Sequence, residues 1–92
     1  MVRPLKPRVL KGNPRVDYFK PQGIPLRNLE EVILMPDEFE AIKLHDGDDL
    51  DQTSAAKEML ISQPTFARIL NRAYKKIAQA LIQGKAIRIE KR

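Results

Sequence analysis

Residues 52–71, QTSAAKEMLISQPTFARILN, constrain the fold most, because their apolar residues have the spacing of two helices that pack across a tight turn. The apolar edges of the two helices are Ala55, Ala56 and Met59, then Phe66, Ile69 and Leu70. Ser62 is a favourable N-cap and Pro64 suits the first turn of a helix, so a second helix is predicted to begin at Ser62. The pattern predicts a helix-turn-helix, with an ordinary helical hairpin as the alternative.

One residue of the predicted turn departs from the usual pattern. Many helix-turn-helix motifs carry glycine where this chain has Leu60, because a positive φ is favoured there. The leucine predicts a turn of a slightly different type. Leu60 and Ile61 are expected to fill the junction between the two helices.

The second helix is predicted to be basic on one face. Arg68, Arg72 and Lys76 follow one another at intervals of four residues, and residues 62–83 contain no Asp or Glu. Like charges at this spacing repel one another, so an anionic partner would explain their presence, with a solvated surface as the alternative. The opposite face is predicted to be a buried apolar stripe that consists of Phe66, Ile69, Leu70, Ala73, Ile77, Ala80 and Leu81.

The net charge of +5 conceals three blocks of alternating sign. Residues 1–29 carry seven cations and one acid (net +6), residues 30–61 two cations and ten acids (net −8), and residues 62–92 eight cations and one acid (net +7). We expect the two basic blocks to form one cationic surface toward phosphate, with the acidic block facing away from it. Nucleic acid is therefore the first partner to expect.

The length of 92 residues predicts one small domain. Residues 1–28 are rich in proline and basic side chains, so they are predicted to form an extended arm, part of which lies across the helical core. Residues 29–92 are predicted to form the domain itself. Within it, residues 31–35 are typical of a strand, and Pro36 is predicted to open a helix that ends near residues 45–47.

The C-terminal part of the domain carries further boundary signals. Either Asp51 or Thr53 is expected to cap the helix that precedes the turn. Gly84 is predicted to end the long helix, and the alternating residues 86–90 are predicted to form a strand. This strand needs a partner: residues 31–34, residues 8–10, or a second copy of the chain, which would give a homodimer.

Several classes of function are disfavoured by the sequence. The chain has no cysteine, which excludes disulfides and thiolate metal sites, and residues 45–51 do not follow the calcium-loop pattern. His45, the one histidine, is expected to be structural. The chain shows no nucleophile with a base and no phosphate-binding glycine loop, so we expect no enzyme activity, no cofactor and no metal. It also shows no membrane span and no signal peptide, so a cytoplasmic location is expected.

Beyond these patterns, most of the chain resembles a family of small, uncharacterised prokaryotic proteins that are predicted to bind DNA through a helix-turn-helix similar to region 4 of sigma factors. The most specific segments are DEFEAIKL, SQPTFARILN and GKAIRIE. Many relatives carry cysteines in the basic N-terminal segment, where this chain has Pro7 and Lys11, so no metal or redox role is carried over. We therefore expect a mainly α fold: a sigma region 4-like three-helix core with an extended basic arm and one or two short β-strands.

The resemblance implies a transcription regulator, and we predict that helix 63–83 docks in the major groove of double-stranded DNA. The residues expected to read base edges are Gln63, Thr65, Arg68 and Asn71. Those expected to bind phosphate are Ser62, Arg72, Lys75, Lys76, Arg3, Lys6 and Arg8. The alternative is a protein-interaction module that uses the same helical surface. RNA is disfavoured, because few aromatic residues are available to stack on unpaired bases.

Overall fold

The structure is a computed structural model that describes residues 8–91, and over these residues the chain forms three α-helices and a three-stranded sheet. The helices are α1 (Pro36–Ile42), α2 (Gln52–Glu58) and α3 (Gln63–Gln83), and the strands are β1 (Tyr18–Phe19), β2 (Glu31–Leu34) and β3 (Ala86–Ile89). A 3₁₀ turn covers Leu26–Asn28, and a π-helical turn, Lys43–Gly47, extends α1. The prediction of three helices is confirmed, and about half of the described chain is helical, whereas the sheet has three strands where one or two were expected.

β3 is the central strand of the sheet. It runs parallel to β2, with Val32 opposite Ile87, and antiparallel to β1, with Tyr18 opposite Arg88. The predicted pairing of the C-terminal strand with residues 31–34 is confirmed. Residues 8–10 do not supply the other partner, because residues 18–19 of the arm take that place. Both edges of β3 are therefore paired within the chain.

The main core lies where α2 crosses α3. Ala55 and Ala56 of α2 are almost completely buried, and their small side chains allow a close approach to Phe66 and Ile69 of α3. Burial of an aromatic or large aliphatic side chain contributes about 1.5 to 3 kcal/mol, so this contact is a major source of stability. It also fixes which face of α3 is turned away from the core.

The arm is attached to the core by a buried carboxylate. Glu40 of α1 is 2% exposed and accepts the backbone N–H groups of Lys11 at 3.1 Å and of Gly12 at 2.6 Å. A Cβ at Gly12 would lie 2.8 Å from Cδ of Lys43, so a side chain there would disturb this approach. Leu10 packs against the α2–α3 core beside this contact.

The helix ends follow local signals in the sequence. Oδ1 of Asp51 accepts the backbone N–H of Ser54 at 2.7 Å, which confirms the expected cap of α2 and lowers the pKa of Asp51. Oγ of Ser62 accepts the backbone N–H of Thr65 at 3.2 Å at the start of α3. α3 ends at Gly84, which has a φ of 68°. Each predicted start and stop is therefore in place.

Two leucines that were expected inside are exposed. Leu81 is 77% exposed. Near the end of α3 only Ala80 is buried against the rest of the domain, and Leu81 faces solvent. Leu60 is 67% exposed and has a φ of 55°, so the turn takes the left-handed conformation that glycine would favour. The expectation of a different type of turn at this residue is therefore wrong, and the leucine is held in a conformation that is costly for it.

We expect Leu60→Gly to raise the free energy of unfolding by about 0.5 to 1 kcal/mol. Relief of the left-handed leucine exceeds the loss from the greater freedom of glycine in the unfolded chain, and the exposed side chain contributes little burial. Urea denaturation measures the change. Leu60→Ala is the control, since it keeps a Cβ in the same conformation and should bring no gain. A glycine variant less stable than the parent would contradict a positive φ at this residue.

Candidate nucleic-acid interface

The first half of α3 presents a polar surface to solvent. Arg68, Asn71 and Lys75 are exposed and follow one another at intervals of three and four residues, so they share one face of the helix. Phe66 and Leu70, on the opposite face, are fully buried in the core. Since the core holds one face of α3, the exposed face has a fixed orientation relative to the rest of the domain.

Polar contacts order the N-terminal end of this face. Oγ of Ser62 donates to Oγ1 of Thr65 at 2.9 Å, and Nη2 of Arg68 donates to the same oxygen at 3.4 Å. The hydroxyl of Thr65 accepts both bonds and keeps its own proton for a further acceptor. Three of the predicted contact residues are therefore brought together within two turns of the helix.

A fourth predicted residue is held from α2. Nε2 of Gln63 donates to Oε1 of Gln52 at 3.0 Å, which links the first residues of α2 and α3. A role for Gln52 was not predicted from the sequence. A signal was present, because a second amide side chain stands at the first position of the neighbouring helix.

Arg72 and Lys76 were counted as basic residues without a partner, because α3 itself contains no acid. The structure supplies the acid from α1. Nζ of Lys76 lies 2.7 Å from Oε1 of Glu38, and Nε of Arg72 lies 3.3 Å from Oε2 of the same residue. Arg72 keeps a side chain that is 56% exposed, whereas that of Lys76 is 30% exposed. These two cations are therefore at least partly neutralised inside the molecule.

Glu38 is the centre of this network and is 1% exposed. Its Oε1 also accepts the backbone N–H of the N-cap residue Met35 at 2.8 Å, so the side chain of Glu38 caps the start of α1. Lys76 donates in addition to the carbonyl oxygen of Ile33 at 2.7 Å. The backbone carbonyl groups of Glu30 and Leu34 accept hydrogen bonds from the β3 side of the sheet. Carbonyl groups alternate in direction along a strand, so that of Ile33 points away from β3, at the outer edge of β2. Lys76 therefore joins α3 to both α1 and this edge.

Asp37 neutralises cations from two sides. Its Oδ2 lies 3.8 Å from Nη1 of Arg8 and 3.7 Å from Nη2 of Arg72, so the arm and α3 meet at this carboxylate. The side chain of Arg8 is only 22% exposed. Of the other predicted phosphate contacts in the arm, Arg3 and Lys6 lie outside the described residues.

Two of the four cations of α3 have no carboxylate partner in the part of the chain that the structure describes. Within residues 8–91, neither Arg68 nor Lys75 has a carboxylate oxygen within 4.0 Å, and both side chains are exposed. Tyr74, beside Lys75, donates its hydroxyl to Oδ2 of Asp46 at 2.6 Å. Partial burial and this bond raise the pKa of Tyr74 to about 12. Asp46 therefore marks the side on which the basic surface ends.

Three further observations concern the described part of the chain. No helix among residues 8–91 is long and apolar enough to cross a membrane. No cluster of three or more metal-ligating side chains occurs in the same range. His45 contributes to structure: its Nδ1 lies 2.7 Å from the carbonyl oxygen of Leu50, so that nitrogen carries the proton. The imidazole ring lies edge-on to the ring of Phe66, with 6.5 Å between the two ring centroids.

The family of the chain follows from a match to a known protein family. The family described as "Protein of unknown function DUF134" matches residues 1–91. The chain belongs to this family, whose relatives carry the name UPF0251 protein. The resemblance to a family of uncharacterised prokaryotic proteins is thereby confirmed.

Individual relatives are similar along nearly the whole chain. A UPF0251 protein of Caldanaerobacter subterraneus subsp. tengcongensis is 54% identical over 90 residues, which cover 98% of this chain and 76% of the relative. One of Moorella thermoacetica is 52% identical over 90 residues, with 98% of this chain and 60% of the relative covered. The chain thus spans only part of the length of these relatives. No solved structure matches it.

We expect Glu38→Ala to lower the free energy of unfolding by roughly 2 to 3 kcal/mol, because it leaves the Met35 N–H without an acceptor and the Lys76 ammonium without its carboxylate. This loss of stability is smaller than that from breaking a fully buried ion pair, since the half-exposed Arg72 can turn toward water. Glu30→Ala is the matched control: its side chain is 81% exposed and 3.5 Å from Lys85, so we expect a change within about 0.5 kcal/mol. Urea denaturation compares the two variants, and equal stabilities would contradict the role of Glu38.

Proposed function

We propose that this protein binds double-stranded DNA sequence-specifically and regulates transcription, with α3 docked in the major groove. The observation that carries the proposal is the exposed first half of α3, which is basic and contains no acid, while its opposite face is buried in the core. An α-helix with its side chains fits the width of the major groove of B-DNA. In this proposal α2, the turn at Leu60 and α3 act as a helix-turn-helix.

Four side chains of α3 are proposed to read base edges. Arg68 suits guanine, since a guanidinium donates two parallel hydrogen bonds to O6 and N7. Gln63 and Asn71 suit adenine, because an amide offers a donor to N7 and an acceptor to the N6 amino group. The hydroxyl proton of Thr65 is available to a base or phosphate oxygen. The contacts of Thr65 with Ser62 and Arg68 support this role, because they reduce the freedom that binding would remove.

The ion pairs of α3 support a division among the proposed phosphate contacts. Lys75 is the strongest candidate, because its charge has no carboxylate near it within the described residues. Ser62 is proposed to hold a phosphate at the N-terminus of α3, where backbone N–H groups favour an anion. Arg72 is partly exposed and can contribute a second contact. Arg3 and Lys6 remain proposed contacts of the arm.

Two further cations are proposed to act at a distance. Lys76 and Arg8 are held by Glu38 and Asp37, so breaking those pairs to reach phosphate would cost stability. Together with Arg72 they form a cluster of three cations and two carboxylates, which retains one net positive charge. Such a charge attracts the DNA backbone without direct contact.

Selection of bound duplexes from a random pool, followed by titration of single variants, tests the proposal. We expect Arg68→Ala to weaken binding to the selected duplex by about 1 to 3 kcal/mol and to relax the preference at one base pair. Lys75→Ala should weaken the selected and a scrambled duplex alike, and lower the slope of log K against log salt concentration by about 1. Lys91→Ala removes the same charge beyond β3 and should change neither.

Two results would count against the proposal in different ways. Equal losses on the selected and scrambled duplexes for Arg68→Ala would remove the base-reading role of that residue. Failure of the protein to bind any duplex at moderate salt would overturn DNA binding itself. The protein-interaction module would then become the better account of this surface, and its complexes should show little dependence on salt.

A further inference from the structure

We propose that Gln52 is a positioning residue that gives Gln63 its base preference, although Gln52 itself is not assigned a contact with a base. This inference rests on the proposed function and adds a residue of α2 to the specificity of α3. The observation behind it is the 3.0 Å hydrogen bond from Nε2 of Gln63 to Oε1 of Gln52.

The backbones on both sides of this bond are fixed. Gln52 follows the N-cap Asp51, and Gln63 follows the N-cap Ser62, so each side chain starts from a capped helix end. Gln52 is half-buried, whereas Gln63 is exposed. The bond therefore ties a solvent-exposed side chain on the proposed DNA surface to a partly buried neighbour on the other helix.

The direction of the bond decides which groups Gln63 can offer to DNA. Its Nε2 uses one of two hydrogens on Gln52, which leaves the second hydrogen and Oε1 available. A donor and an acceptor in one plane are the pair that matches N7 and the N6 amino group of adenine. Without Gln52, the terminal torsion of a glutamine is broad and nearly two-fold, so the amide would present either order of groups.

Holding the Gln63 side chain in place before DNA binds also favours affinity. An exposed glutamine loses rotamer freedom when it docks on a base, and a side chain that is already held loses less. Gln52 thus acts on Gln63 in two ways: it selects the amide orientation, and it lowers the entropic cost of using it. Both effects apply at a single base pair and leave phosphate contacts unchanged.

Competition binding with all single base-pair variants of the selected duplex tests the inference. Gln63→Ala should abolish a preference for A·T of roughly tenfold at one base pair. Gln52→Leu removes the acceptor but keeps a similar side-chain size, so it should reduce that same preference by about three- to tenfold with scrambled DNA bound as before. The double variant should match Gln63→Ala alone, because the two residues act through one contact.

Gln52→Glu is the matched rescue variant. A carboxylate accepts the bond from Gln63 but cannot donate, so the preference at the A·T pair should be retained. The added negative charge should weaken binding to every duplex alike. A merely structural role of Gln52 would not distinguish leucine from glutamate at one base pair, and thermal unfolding of each variant checks that all are folded.

The outcomes separate this inference from the proposed function. If the parent protein prefers no sequence, both fall. If Gln63→Ala loses an A·T preference that Gln52→Leu keeps, or if the two changes affect different base pairs, the positioning role is overturned while DNA binding stands. Loss of the preference in Gln52→Leu with its retention in Gln52→Glu is the result that supports the role.

Discussion

The carboxylate of Glu38 joins parts of the molecule that are far apart in sequence. It accepts the backbone N–H of Met35 at the start of α1, and it accepts hydrogen bonds from Lys76 and Arg72 of α3. Lys76 extends the network to the outer edge of β2 through the carbonyl oxygen of Ile33. A buried carboxylate needs such donors, since an unpaired charge in the interior is strongly unfavourable. The rotation of α3 relative to α1 and the sheet is therefore fixed by charge as well as by apolar packing.

This constraint divides the basic residues of α3 into two groups. Those turned toward α1 are neutralised by Glu38 and Asp37, and those turned toward solvent are not. On α3 the cations without a carboxylate partner among the described residues are Arg68 and Lys75, and Asn71 lies between them on the same face. The proposed DNA surface is thus smaller than the sequence predicted, and it adjoins Thr65 and Gln63, the side chains that Ser62 and Gln52 help to order.

The features that the sequence predicted are local ones. Pro36, Asp51, Ser62 and Gly84 mark helix ends through contacts within a few residues, so their effect can be read from neighbouring positions. The interior positions of Glu38 and Glu40 were missed, because their partners lie 28 to 38 residues away and only the fold brings them together. The two-residue strand β1 was missed because it is too short to show a period, and it is stable only beside β3. Within the candidate site, the exposed face of α3 followed from spacing, whereas its link to Gln52 did not.

Chemical-shift mapping of the ¹⁵N-labelled protein with a selected duplex tests the central claim most directly, because it reports the contact surface without altering any residue. If α3 docks in the groove, the largest changes occur in residues 62–75 and in the side-chain amides of Gln63, Asn71 and Gln52. A scrambled duplex should shift the basic residues but leave those amides nearly unchanged. Changes centred on the sheet or on the exposed Leu81 and Ile82, with residues 62–75 unaffected, would contradict docking of α3.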